Sequence, residues 1–311
     1  MCSFVEVRFT SSEVHTEANR LIGDVKTSTI LTKEVKSSLA LSNGWDTGPM
    51  KREDVDTLIV SDVHLGSELC NAELFCRVLS GFRFKRLVLN GDIFDHLNLE
   101  FEVKTRHLRE GKQPRVKKHR LKKSHLKALS LISGLSKPEN NCEVIWIEGN
   151  HDEGISHIFS SLIGATVHNE YMWEFAGKKC LAIHGDQFDE FYRDHINLVE
   201  WVTWVYQALQ SFGPKTTPLC LYLKNNSKHY TRAINIVAEG AARYAEKKGA
   251  DVIFCGHTHH AEHKRIGEIE YYNSGTMQCA IVSCITLGEQ GFRIHVFQED
   301  DGFAKPINVV P

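Results

Sequence analysis

From Asp56 onward, short β-branched and aliphatic runs alternate with stretches of helical period along the chain. Apolar runs at residues 57–61 (TLIVS), 86–90 (RLVLN) and 143–148 (EVIWIE) read as buried strands, and residues 72–79, 124–135 and 155–163 as helices between and after them. Strand, helix and strand in that alternation predict parallel βαβ units. Three closely spaced strands follow at 166–168, 171–175 and 179–183. Residues 191–248 are mostly helical in pattern, and strands return at 252–255, 269–273, 280–287 and 292–297. The expected architecture is an α/β core interrupted by a helical insertion over about 190–248. Residues 1–50 are rich in Ser, Thr, Lys and Glu without a sustained period, and read as a flexible extension with a short helix near 13–21. The main domain is then 51–311.

Five short motifs follow predicted strands: Asp62-Val-His64, Gly91-Asp92, Gly149-Asn150-His151-Asp152, His184-Gly185-Asp186 and Gly256-His257-Thr258-His259. Each is common by chance. Five in this order, each after an apolar strand, are not, because loops at the carboxyl ends of parallel strands converge on one crevice. Asp62, His64, Asp92, Asn150, His184, His257 and His259 make seven oxygen and imidazole donors with no thiolate. Seven exceed one tetrahedral zinc and suit two five- or six-coordinate ions sharing a carboxylate, with Mn, Fe and Zn all compatible.

The composition sharpens this picture. Of 311 residues, 17 are His, a number that invites a search for metal. Nine cysteines form no CxxC pair, which reads as buried thiols of a reducing cytoplasm. Net charge is −2, so bulk charge does not mark a polyanion binder. Residues 104–127, however, hold eleven Lys or Arg against Glu110 alone, a local +10 that leaves −12 to the rest. That segment reads as a solvated surface insertion, or as a contact for phosphates, anionic lipid or nucleic acid. No apolar run reaches the roughly 18 residues a membrane span needs, and no secretory signal pattern opens the chain. Residues 195–212 carry a broad apolar face with Trp201 and Trp204, a core-packing helix or a lid over an acyl chain.

The ordered set D-x-H, G-D, G-N-H-D, H-G-D and G-H-x-H over about residues 56–298 resembles the calcineurin-like binuclear metallophosphoesterases. The resemblance implies a sandwich of two mixed β-sheets flanked by helices, with a dimetal centre at the strand ends. Asp62, His64 and His259 would hold one ion, Asn150, His184 and His257 the other, and Asp92 would bridge them. The ions would be manganese, with iron or zinc as alternatives. His151 matches the family's non-ligand histidine beside the scissile phosphate, and Asp152 would orient it. The HGDQFD segment, the insertion after it and YYNSGT resemble more narrowly the UDP-2,3-diacylglucosamine pyrophosphatase-like branch, which works at the inner membrane surface. In that comparison Asn225 and Lys228 match substrate contacts; as an alternative, they mark a helix start. His151 stands where the dedicated lipid A enzyme carries Arg.

The expected reaction is phosphoester or pyrophosphate hydrolysis by a hydroxide that two ions activate, with the metals and Asn150 stabilising charge on the equatorial oxygens and His151 protonating or stabilising the departing oxygen. The expected substrate is a nucleotide-lipid pyrophosphate. Alternatives are a phosphomonoesterase, phosphodiesterase or protein phosphatase with the same centre, a nuclease, or a non-catalytic scaffold. The implied location is cytoplasmic, with peripheral contact to an anionic membrane; oligomeric state is not legible.

Overall fold

A computed structural model describes residues 52–67, 69–95, 121–189, 228–300 and 303–310, all within the compact unit Met50–Pro311. The expected extension over 1–50, most of the basic segment 104–127 and residues 190–227, Asn225 among them, lie outside the described residues.

Strands β1 (Glu53–Asp54) and β2 (Thr57–Val60) lead into helix α1 (Ala72–Gly81). The helix is capped by Asn71, whose side chain accepts the Leu74 amide proton at 3.0 Å. It buries Ala72, Leu74, Phe75, Cys76, Val78 and Leu79, the 3–4 spacing of one helical face. Strands β3 (Phe82–Arg83) and β4 (Arg86–Asn90), helix α2 (Lys123–Leu135), β5 (Glu143–Ile147), α3 (Ser156–Ile163) and β6 (Thr166–His168) follow. Then come the hairpin β7 (Glu170–Phe175) and β8 (Lys178–Ile183), helix α4 (Lys228–Lys248) and β9 (Val252–Cys255). Strands β10 (Glu262–Ile266), β11 (Ile269–Asn273), β12 (Ile281–Gly288), β13 (Gly291–Asp300) and β14 (Phe303–Val310) close the chain.

Two mixed sheets result. The first runs β14-β13-β12-β2-β4-β5-β6, parallel from β2 to β6; the second runs β10-β11-β9-β8-β7, with β8, β9 and β11 parallel. Strand alternation sorts side chains into three apolar layers. Leu58, Val60, Leu87, Leu89, Val144 and Trp146 pack with α1 and α2 residues. Their neighbours Ile59, Val88, Ile145 and Ile147 meet Cys180, Ala182, Val252 and Phe254 between the sheets. Leu181, Ile183, Ile253 and Cys255 face the alanines of α4 at 238, 241, 242 and 245. The strands are buried on both faces, which is why they read as unbroken apolar runs.

Two edge strands, β10 and β14, are absent from the sequence expectation, as are the two-residue β1 and β3. Thiols at Cys70 and Cys180 are pushed up to about 12 by burial, which suits free cysteines rather than ligands. Among the described residues no helix is long and apolar enough to cross a membrane.

Candidate metal centre

All five motifs follow the carboxyl ends of parallel strands, β2, β4 and β5 in the first sheet and β8 and β9 in the second. The Asp62 and Asp92 loops continue the β2–β4 ladder: Asp62 N donates to Gly91 O at 3.0 Å, His64 N to Asp92 O at 2.9 Å and Leu65 N to Ile93 O at 2.8 Å. Gly256 N donates to His184 O at 2.9 Å, joining the loops of the second sheet. Asp62, His64, Asp92, His257 and His259 all adopt φ between 51° and 65°, the left-handed region. Each such non-glycine residue costs about 1–3 kcal/mol and persists only where its surroundings over-determine it. The glycines matter here for space. A Cβ at Gly149 would overlap the Asp92 carboxylate, and one at Gly256 would overlap Ser61 and Asp62.

The donors converge. Asp62 Oδ1 lies 3.0 Å from His259 Nε2, and Asp92 Oδ2 lies 3.3 Å from His184 Nε2 and 3.7 Å from His64 Nε2. His64 and His259 bring their Nε2 atoms within 3.3 Å of each other. His184 points Nδ1 at the Asn90 carbonyl oxygen, 3.0 Å away, which directs Nε2 inward. Asn150 Oδ1 is buried without a hydrogen-bond partner, and Asp62 Oδ1 and His184 Nε2 have only the contacts to His259 and Asp92 just given. Such atoms are costly unless something answers them. Burial opposes ionisation of Asp92, yet His184 and His64 hold its carboxyl well below the usual range. Burial is the dominant influence on His64, bringing it down to about 4. Buried carboxylates, an amide oxygen and imidazole nitrogens, with acceptor atoms crowded together, are a donor set that fits divalent cations. Asp62, His64 and His259 form one three-ligand group, and Asp62, Asp92 and His184 another.

His151 stands beside this centre, its ring centroid 4.8 Å from that of His64, with its backbone N donating to Asp92 Oδ1 at 2.8 Å. Its Nδ1 is 3.6 Å from Asp95 Oδ1. Burial disfavours the imidazolium, but Asp95 and Asp92 outweigh it and raise the His151 pKa above its ordinary value. The orienting role expected of Asp152 therefore falls to Asp95. Asp152 turns inward instead, accepting from Phe94 N at 2.8 Å, Trp146 Nε1 at 3.1 Å, Gly149 N at 3.2 Å and Ile93 N at 3.3 Å. Burial and nearby Asp92 push it up to about 7, against those donors. It pins the loops that bear Asp92 and Asn150 together.

Sequence reasoning missed a second set of residues. Asn273 donates to Gly256 O at 2.7 Å and Thr258 Oγ1 at 3.2 Å, and accepts from Gly275 N at 2.9 Å. Ser274 Oγ lies 2.7 Å from Ser61 Oγ, which in turn donates to Asp62. Thr276 Oγ1 and Met277 N both donate to Asp62 O at 3.1 Å. The YYNSGT segment is thus a clamp on the loops of both sheets. Its signal was present as a polar run after an apolar strand, but its partners lie far away in sequence. Lys228 is the first described residue of α4. Two residues on, Tyr230 donates to Thr258 O at 2.8 Å, which ties the start of α4 to the loop that bears His257 and His259. An open pocket of about 330 Å³ beside Asn150 and His184 is lined also by Glu148, Glu153, Asn169, Asp186 and Gln187.

The family model described as calcineurin-like phosphoesterase matches residues 56–261. Among solved structures, a single-site variant of Vps29 from Entamoeba histolytica is 13% identical, with a TM-score of 0.41 over 82% of this chain and 97% of that one. The phosphoesterase Yfce from E. coli is 17% identical, with a TM-score of 0.40 over 82% and 97%. An archaeal phosphodiesterase is 14% identical, with a TM-score of 0.38 over 77% and 98%. None of the curated proteins matches the chain. With the sandwich, the strand-end loops and the matched span in agreement, the chain belongs to the calcineurin-like phosphoesterase family.

Proposed function

We propose that this protein is a metal-dependent hydrolase of phosphoester or pyrophosphate bonds, built on two divalent ions. Asp62, His64 and His259 would hold one ion and Asn150, His184 and His257 the other, with Asp92 contributing to both. The observation that carries this reading is the convergence of buried Asp62, His64, Asp92 and His184 with His259 in one crevice, where Asn150 Oδ1 is left without a partner. When bound, the ions supply Lewis acidity to phosphoryl oxygens and lower the pKa of a water nucleophile. The chain's own contribution begins with His151. Asp95 steadies its Nδ1 edge, so the ring keeps a proton that Nε2 delivers to the departing oxygen. Asp152, Asn273 and Ser274 hold the loops in register without touching the substrate.

The substrate favoured by the HGDQFD and YYNSGT resemblance is a nucleotide-linked lipid pyrophosphate of the UDP-2,3-diacylglucosamine type. The Tyr230 contact supports it by bordering the centre with the insertion that would meet an acyl chain. Reaching such a substrate requires a bilayer surface, toward which the basic segment 104–127 would contribute charge. Asn225 and Lys228 would contact the substrate.

The test combines elemental analysis with turnover of UDP-2,3-diacylglucosamine, bis-p-nitrophenyl phosphate and phosphopeptides. Two equivalents of metal and preference for the nucleotide lipid are expected; preference for either other substrate moves the assignment within the family. His151→Ala should keep its metal and lose about 10²–10⁴ in rate on a poor leaving group. Asp92→Asn should lose metal as well as rate. Undiminished stoichiometry in that variant would remove Asp92 from the shared position.

A further inference from the structure

Asp189 is outside the donor set yet lies against it. Its Oδ2 is 3.2 Å from His257 Nε2, and both side chains are largely buried. The turn that delivers it is fixed at several points. Gly185 opens the turn at φ +113° and donates its N–H to Gln187 Oε1 at 3.1 Å. Phe188 N donates to Gly185 O at 3.1 Å and Asp189 N to Asp186 O at 3.0 Å. Phe188 packs on α4 where Gly240 leaves room, since a Cβ there would press on the phenyl ring, and it meets Tyr244 with ring centroids 5.8 Å apart. A carboxylate held this firmly beside one nitrogen of an imidazole dictates which nitrogen carries the proton.

We propose that Asp189 is a positioning residue of the metal centre: it accepts the Nε2 proton of His257, fixes that ring and leaves Nδ1 as the nitrogen offered to an ion. This rests on the metal-ion reading above. His184 is set the opposite way, because the Asn90 carbonyl can only accept, so Nδ1 carries the proton and Nε2 is offered. Carboxylate or carbonyl partners on the far nitrogen are the usual means of fixing a ligand imidazole, and their loss weakens metal binding by about 10–100-fold. Asp189 also stands where the chain enters residues 190–227, and Tyr230, just after them, reaches Thr258 of the same loop. Both borders of that stretch therefore grip the segment that carries His257 and His259.

The test uses the full chain labelled with ¹⁵N-histidine and loaded with ¹¹³Cd²⁺. Cadmium coupling is expected at Nδ1 of His257 and Nε2 of His184; coupling at His257 Nε2 overturns the proposal. In parallel, Mn²⁺ binding is measured by equilibrium dialysis for wild type, Asp189→Ala and Asp189→Asn. The Ala variant should bind one ion about 10–100-fold more weakly. The Asn variant, whose amide oxygen accepts the same proton, should recover much of that loss. Wild-type affinity in the Ala variant, or an Asn variant no better than Ala, overturns the proposal. If the Ala variant does not fold, the cadmium coupling and the Asn variant still decide. If wild type binds no divalent ion, the metal-ion reading fails instead, and the His257 tautomer in the metal-free protein still reports on Asp189: Nε2–H is expected, and Nδ1–H would overturn its role.

Discussion

At Gly149 the backbone passes so close to Asp92 that a single methyl group has nowhere to go. Gly149→Ala should therefore displace the Asp92 carboxylate and lower metal content, while costing about 1–3 kcal/mol in chemical denaturation, the usual penalty for overpacking. Full metal content in that variant would show that the loop yields. The seven candidate donors could be nominated because each belongs to a motif of two to four residues behind an apolar run. The φ values of 51–65° at five of them, Asp62, His64, Asp92, His257 and His259, were not legible, since nothing in a local sequence states that Asp or His adopts a left-handed backbone. Asp152 shows the hazard of adjacency. Sitting next to His151 it looked like that ring's partner, yet the turn after β5 aims it at Trp146, and Asp95 takes the place instead. Ser61, Asn273 and Asp189 were illegible for a related reason: their partners come from other loops, up to 213 positions away for Ser61 and Ser274.

Elements buried on both faces announced themselves; of the four edge strands of the two large sheets, β6 and β7 were also legible but β10 and β14 were not. Strands β2, β4, β5 and β9 are short apolar runs between turn residues, and their predicted bounds fall within one residue of those observed. Strand β10 reads EHKRI, charged almost throughout, and β14 carries Pro306; both lie at sheet edges, where charge and proline are tolerated because one side of the strand needs no partner. The link from β11 toward β12 carries the clamp, so its stability and its function are coupled. Asn273 is fully buried, and Asn273→Ala strands the Gly256 carbonyl and the Gly275 amide. We expect a loss of about 1–3 kcal/mol by urea denaturation, together with weaker metal binding because Gly256 anchors the loop bearing His257 and His259. A variant of unchanged stability would show that water replaces the amide.

For the molecule as a whole, two sheets supply loops to one crevice, so ions bound there would tie the sheets together. A ligand that binds only the folded state at 100 times its dissociation constant adds about 2.7 kcal/mol. For a domain of this size that corresponds to about 5–10 °C. Treatment with a chelator should lower the melting temperature by that amount and Mn²⁺ should restore it; an identical melt with and without chelator would count against resident ions. The layers of the sandwich themselves close without the candidate ligands, on aliphatic and aromatic side chains such as Trp173, Phe254 and Tyr272. That independence gives the left-handed ligands an evolutionary meaning. His259, at φ 53° and partly exposed, occupies a backbone state that glycine enters without penalty. His259→Gly, assayed without metal, should be as stable as wild type or up to about 1 kcal/mol more so, while binding fewer ions. On the proposed reading, a descendant that no longer bound metal could take glycine there at no loss to its architecture.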